Sequence, residues 1–462
     1  MASVTERLGS VLEREAPVWG VEPVPEGKRR FSGLDLAVLW GDLSVGLLVL
    51  VTGAFLVPAL GLRSASVAIV LGSLLGCLPL ALVGIAGARE GVPGMVLFRP
   101  VLGRAGSFAP SALNLLQLLG WTAVEFWAMG RVANAVSTRL FGLDSYPLWL
   151  AMVALVCTGL ALGGPVLVDR RWLERFGIYV TVAVGAWVTA KLVSNGDLGS
   201  LWAAKGEGGL PFWLAVDLVV VMPISWLPLV ADYNRFTRPG ARGAAGTFWG
   251  YAAGNVWFYA LGALLVLVGG ASADVIGIGD AIASLAGGTV VLLVLLAGES
   301  DQAFANIYSA AVSVQNVFPR ASQRGLVAAV GACGFAMALG LSMDRYEVFL
   351  FLIGSVFVPI AGVFVAHYFV VRHGRYSREE VTSERGGVRW RALIPWASGF
   401  VVYQWSVAPG TLPGNWTGAV ETLLHDWLRL PFPLADARFG ASLPSFAVAF
   451  FLSMVVLRER RA

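Results

Sequence analysis

What most constrains this 462-residue chain is a succession of twelve largely apolar stretches, each long enough to cross a membrane as a helix. They run approximately over 34–60, 66–88, 108–136, 146–164, 172–194, 209–234, 246–270, 286–316, 324–342, 345–371, 390–408 and 441–457. Roughly 18 to 20 apolar residues span the hydrocarbon core of a bilayer, because a helix rises about 1.5 Å per residue. The links between them leave no room for a soluble domain. Composition agrees: 57% of residues are hydrophobic and 13% charged, against about 45–50% and about 25% in soluble proteins. The expected fold class is an all-α integral membrane protein with twelve transmembrane helices.

Orientation follows from where Lys and Arg fall. With the amino terminus inside, the inner segments hold 24 basic residues and the outer ones six, namely Arg63, Arg139, Lys205, Arg345, Arg429 and Arg438. Both termini are therefore expected in the cytoplasm, at the cell (inner) membrane. The same count explains the pI near 9.1 without nucleic acid. Residues Met1–Gly33 lack the basic–apolar–small pattern of a cleaved signal and are read as a cytoplasmic tail. Cys77, Cys157 and Cys333 all lie in apolar stretches and read as packing residues, and the three histidines form no metal-binding spacing. No nucleophile–base motif supports an enzyme, and no cofactor or obligatory protein partner is expected.

The polar segment 372–389 divides ten helices from the last two. Within the ten, residues 34–194 and 209–371 read as two five-helix repeats, followed by 390–457 with helices 11 and 12. Two stretches break their own helical pattern at matching places. The first, WGDLSVGLLVLVTGAFLVP, carries Gly41, Asp42, Ser44, Gly46 and Gly53; the sixth, VVVMPISWLPLVADYNRF, carries Pro223 and Pro228 around Ser225 and Trp226. Proline removes a donor and frees a carbonyl upstream. Paired interruptions point to a transporter site at mid-membrane, with simple packing kinks as the other reading.

Two polar stripes strengthen the first reading. Glu299, Gln302, Asn306, Ser309, Ser313 and Asn316 follow spacings of 3 and 4 down one face of the eighth stretch. In lipid such a face must meet protein or water, as a ligand site or as a hydrogen-bond ladder between helices. Asn114, Gln117, Trp121 and Glu125 form a second stripe on the third stretch. Trp121 and Glu125 share a face one turn apart, and an aromatic plane beside a carboxylate suits a flat, nitrogen-rich ligand; a core tryptophan beside a satisfied carboxyl is the plainer alternative. Asp232 and Arg235, closing the sixth stretch, suit a gate or a structural ion pair equally. Asp42 and His367 have no assigned role.

The segments GAREGVPGMVLFRPVLGRAGSFAPSALNLLQLLGWTAVEFW (87–127), SWLPLVADYNRFTR (225–238), NIYSAAVSVQN (306–316) and FLFLIGSVFVPIAGVFVAHYF (349–369) resemble the nucleobase–cation symporter-1 family. The WTAV signature and TGAFLVPAL (52–60) look most like its hydroxymethylpyrimidine permease branch, related to cytosine permease. The resemblance implies a LeuT-type fold of two inverted five-helix repeats plus two helices. Substrate would lie between a bundle (stretches 1, 2, 6 and 7) and a scaffold (3, 4, 8 and 9).

It also implies that Trp121 and Trp226 sandwich a planar ring. Glu125 and Asn306 would bind its polar edge, with Gln302 and Gln117 nearby. A cation would be held by Leu43, Gly46 and Ala297 carbonyls with Ser300 and Asp301. Relatives commonly carry a hydroxyl residue at Asp301, so sodium at that carboxylate and a proton upon it are both open. The expected function is cation-coupled import of a pyrimidine-like heterocycle across the lipid bilayer. An amino-acid/cation symporter on the same scaffold is the alternative, against which Glu125 argues because an anionic ligand would meet a carboxylate.

Overall fold

A computed structural model of the chain describes residues 19–163, 177–238, 240, 242–343, 346–383, 386–407, 422–429 and 440–458. The principal helices are α1 (Gly33–Asp42), α2 (Leu47–Ala54), α3 (Leu62–Glu90), α4 (Phe108–Phe141), α5 (Tyr146–Gly163) and α6 (Ile178–Asn195). They continue with α7 (Phe212–Trp226), α8 (Val230–Asn234), α9 (Gly243–Leu267), α10 (Gly288–Val317), α11 (Gln323–Leu339), α12 (Tyr346–Val365), α13 (Trp390–Ser406) and α14 (Ser442–Val456). Each apolar stretch thus contains helix. Among the described residues, six helices are long and apolar enough to cross a membrane, or seven if the bent pair α1–α2 is one span. The first part of the fifth stretch, to residue 176, lies outside the described residues, as does most of the tail read as Met1–Gly33.

The helices sort into two groups. In one, α9 packs along α1, α2 and α3, and α7 packs along α3. In the other, α10 and α11 pack on α4, with α5 beside them. Direct contact between the groups is sparse and comes mainly through α2. Helix α14 lies against α12 and α13, and α12 meets α7. Its start is tied to α7, where the Asp217 carboxylate accepts from the amides of Ala441 at 2.6 Å and Ser442 at 3.0 Å. A carboxylate at a helix amino terminus meets unpaired N–H groups and the favourable end of the dipole. In the polar segment 372–389, a single capped turn (Arg378–Thr382) forms where only a loop was expected, held by a Ser377–Glu380 capping box and an Arg372–Glu380 ion pair at 2.6 Å.

The first interruption separates α1 from α2 with a bend of 62°. The chain runs through Leu43 to Gly46, and the backbone there would leave buried polar groups unpaired. Helix α10 supplies the partners: Glu299 accepts from the Leu47 N–H, and Gln302 Nε2 donates to the Val45 carbonyl at 3.1 Å. Such close approach leaves no space at Gly46, where a Cβ would lie 2.3 Å from Gln302 Nε2 and 2.5 Å from Glu299 Oε1. Gly46→Ala should therefore displace both side chains and cost about 1–3 kcal/mol, the usual range for overpacking. A thermal unfolding midpoint equal to that of the parent protein would show that the two side chains give way freely.

The second interruption separates α7 from α8 at Leu227–Leu229, where Pro228 interrupts the sequence of amide donors. The Ser225 carbonyl, freed near the break, accepts from Gln117 Nε2 at 2.9 Å. Asp232 at the following turn accepts from the Gly94 N–H at 2.8 Å. Arg235 donates to the Gly20 carbonyl at 2.7 Å and to the Tyr308 hydroxyl at 3.0 Å. Asp232 and Arg235 thus join the end of α8 to the tail, to the link after α3 and to α10.

Candidate substrate site

The stripes on α4 and α10 face each other and behave differently along their length. At the end nearer the termini they close into a ladder. Asn114 donates to Ser313 at 2.8 Å, and Asn316 donates to Ser111 at 2.9 Å and Ser107 at 3.0 Å. Further along, the side chains stop pairing across the helices. There Trp121, Glu125, Gln302 and Asn306 line a small cavity with Trp226, Ser225, Met222, Tyr251, Leu48 and Val49. The two alternatives for the stripes are therefore both realised, ladder in one half and cavity in the other.

The cavity lies between the two helix groups, next to both interruptions. Its volume of ≈ 10 Å³ matches roughly one water molecule, and both tryptophans are nearly covered, at 5% and 6% exposure. This is a closed arrangement that must widen to admit a ring. The indoles are held by edge contacts. Trp121 meets Phe349 at 5.3 Å and Tyr346 at 6.1 Å, and Trp226 meets Trp40 at 6.1 Å, all near perpendicular.

Several polar groups here lack partners. Trp121 Nε1, Glu125 Oε2 and Glu299 Oε2 are buried without a donor or acceptor among the described residues. Unpaired buried polar atoms are costly and mark functional sites. The Glu125 and Glu299 carboxyl groups are close neighbours in this region. Ionised carboxylates only accept, so neither brings the other a donor.

Five of the six residues expected at the substrate are thus brought together. The sixth, Gln117, lies outside the cavity lining, its amide divided between Asn114 Oδ1 at 2.7 Å and the Ser225 carbonyl. The residues expected around a cation differ in burial: Leu43, Gly46 and Asp301 are buried, whereas Ala297 is exposed and Ser300 half-buried. The Ser300 hydroxyl donates within its own helix to the Ala297 carbonyl at 2.5 Å. The all-oxygen donor set suits sodium chemically, yet the groups that bond to the α1–α2 break are Glu299 and Gln302. Sequence reasoning noted Glu299 on the stripe without giving it a role, and it missed Tyr251 and Met222. Glu299 was the legible one, being a carboxylate inside a membrane helix.

Comparisons with known proteins agree with this geometry. Residues 23–423 match the family described as permease for cytosine/purines, uracil, thiamine, allantoin. The hydantoin permease of Microbacterium maritypicum is 24% identical over 409 residues, covering 82% of each chain. The cytosine permease of Escherichia coli O157:H7 is 26% identical over 401 residues, covering 85% of this chain and 90% of that one. Among solved structures, Mhp1, a nucleobase-cation-symport-1 family transporter in a closed conformation with bromovinylhydantoin bound, superposes with a TM-score of 0.78 at 22% identity. That match covers 95% of this chain and 94% of the other. These are permeases, not enzymes. With its all-helical architecture, two interrupted helices and cavity between two helix groups, this integral membrane protein belongs to the nucleobase–cation symporter family of cytosine, purine, uracil, thiamine and allantoin permeases.

Proposed function

We propose that the protein is a cation-coupled importer of a planar nitrogen heterocycle, most closely a pyrimidine such as hydroxymethylpyrimidine or cytosine, working by alternating access with both termini in the cytoplasm at the inner membrane. The observation that carries this reading is the cavity between the interrupted helices, lined by Trp121, Trp226 and Asn306 together with Glu125, whose Oε2 is unpaired. A flat ring between the indoles gains stacking, while its ring N–H or amino groups give the Glu125 carboxyl a donor. Asn306 offers an acceptor and a donor to the same edge. The inward orientation rests on the distribution of Lys and Arg.

The amino-acid alternative is disfavoured by Glu299. An anionic ligand at the α1–α2 break would need the amide end of α2, and Glu299 already brings a carboxylate to the Leu47 N–H. For the coupling ion, the closeness of Glu125 and Glu299 supports a proton, and the oxygen set of Leu43, Gly46, Ala297, Ser300 and Asp301 supports sodium as a second reading.

Quenching of tryptophan fluorescence by hydroxymethylpyrimidine, titrated at fixed pH with and without sodium, tests both levels. Saturable quenching supports the aromatic site, and sodium-dependent affinity that disappears in Asp301→Ala supports the sodium reading. Affinity indifferent to sodium assigns coupling to a proton. Absence of quenching by hydroxymethylpyrimidine, cytosine and hydantoin alike would refute the heterocycle site.

A further inference from the structure

A second cavity, larger than the central one, opens at the end of the molecule that carries the amino-terminal tail. It measures ≈ 850 Å³, and its walls come from four separate stretches of chain: the tail, the end of α3, the link between α8 and α9, and the segment after α12. Five guanidinium groups line it, those of Arg29, Arg89, Arg238, Arg242 and Arg375, against the carboxylates of Glu26 and Glu90. Five positive groups against two negative leave a net charge of +3 around one cavity, with His373 neutral.

Part of that charge has structural work. Arg29 donates to the carbonyls of Ala88 at 2.8 Å and Val24 at 3.0 Å, and Arg89 donates to Gly374 at 3.2 Å. Glu90 is likewise occupied, accepting from the Tyr368 hydroxyl at 2.8 Å and the Tyr376 amide at 3.0 Å. Arg238, Arg242 and Arg375 are exposed at the rim, and their guanidinium groups have no hydrogen-bond or ion-pair partner among the described residues. Topology alone puts arginines on this side of a membrane protein, but it does not gather them from four stretches onto one cavity. Converging like charges repel, and the repulsion is relieved by an anion with several oxygens, which guanidinium forks bind in pairs.

We propose that this cavity binds a phosphate-bearing anion, at a site separate from the heterocycle cavity and independent of which heterocycle is carried. The chemistry is shared by anionic lipid headgroups, which basic pockets at the ends of membrane helices recognise, and by soluble phosphorylated compounds. The bound anion joins the rim of the α8–α9 link to the segment after α12, across the end of α3.

The test uses full-length protein in phosphatidylcholine nanodiscs, with phosphatidylglycerol added to the bilayer in one arm and pyrophosphate added to the solution in the other. The readout is the thermal unfolding midpoint by tryptophan fluorescence. The parent protein is expected to be stabilised in a dose-dependent way. The Arg238→Gln/Arg375→Gln double variant should bind roughly tenfold or more weakly. The charge-matched control, Arg320→Gln/Arg324→Gln, removes two exposed arginines that do not line the cavity and should respond like the parent. Stabilisation by phosphatidylglycerol alone assigns the site to a headgroup, and stabilisation by pyrophosphate in neutral lipid assigns it to a soluble phosphate compound. Equal loss in both double variants, or no stabilisation of the parent in either arm, would overturn the proposal. Equal midpoints of all three proteins in pure phosphatidylcholine provide the folding control.

Discussion

Replacing Trp121 by alanine is expected to weaken heterocycle binding by a factor of about 5 to 150, the equivalent of roughly 1–3 kcal/mol for one stacked ring. The indole is positioned for this by edge contacts with Phe349 and Tyr346, and it lines the same cavity as the α10 residues Gln302 and Asn306. Trp121→Phe keeps an aromatic face and should retain most of the affinity. Trp226→Ala should behave like Trp121→Ala, since its ring meets the other wall. The measurement is a binding isotherm for each variant beside its unfolding midpoint, so that lost packing is separated from lost stacking. Unchanged affinity in a folded Trp121→Ala protein would remove the aromatic sandwich from the mechanism.

The second large effect is expected at Glu299. Its carboxylate accepts from the Leu47 N–H at the head of α2, deep in the membrane-embedded region, where water does not compete for that amide. Glu299→Ala leaves the donor buried and unpaired, at about 1–3 kcal/mol, and removes a bond between the two helix groups. Stability and uptake should both fall. Glu299→Gln keeps a carbonyl oxygen in the same place and should recover most of the stability, as read from thermal midpoints in the same lipid. If alanine and glutamine variants are equally unstable, capping of α2 is not what Glu299 contributes, and its charge is.

The architecture was readable because spacing carries it. Apolar runs longer than a bilayer crossing, glycine and proline at matching places, and polar residues every third and fourth position each have one physical cause. Trp121, Glu125, Gln302 and Asn306 were legible for the same reason, being polar or aromatic positions on faces that lipid would punish. What spacing does not carry is which partner a polar group takes across the fold. Gln117 continues the α4 stripe as faithfully as Glu125 does, yet it spends its amide on the α7 break. Tyr251 and Met222 sit in stretches where an aromatic or a thioether looks like any other core residue, and only the packing of α9 and α7 turns them inward. Ser300 is a case where the pairing, unlike the position, had to come from the fold. It occupies the expected position, but its hydroxyl is bonded within its own helix and its neighbour Ala297 is exposed.

Both interruptions are capped by the chain itself: the first by Glu299 and Gln302, the second in part by Gln117. A passenger is therefore not needed to pair these backbone groups at the two breaks. Under the alternating access proposed above, the unloaded carrier is then free to make the return leg of its cycle without first finding a molecule to export. On that reading, turnover at saturating external supply is limited by how fast the empty form swings back.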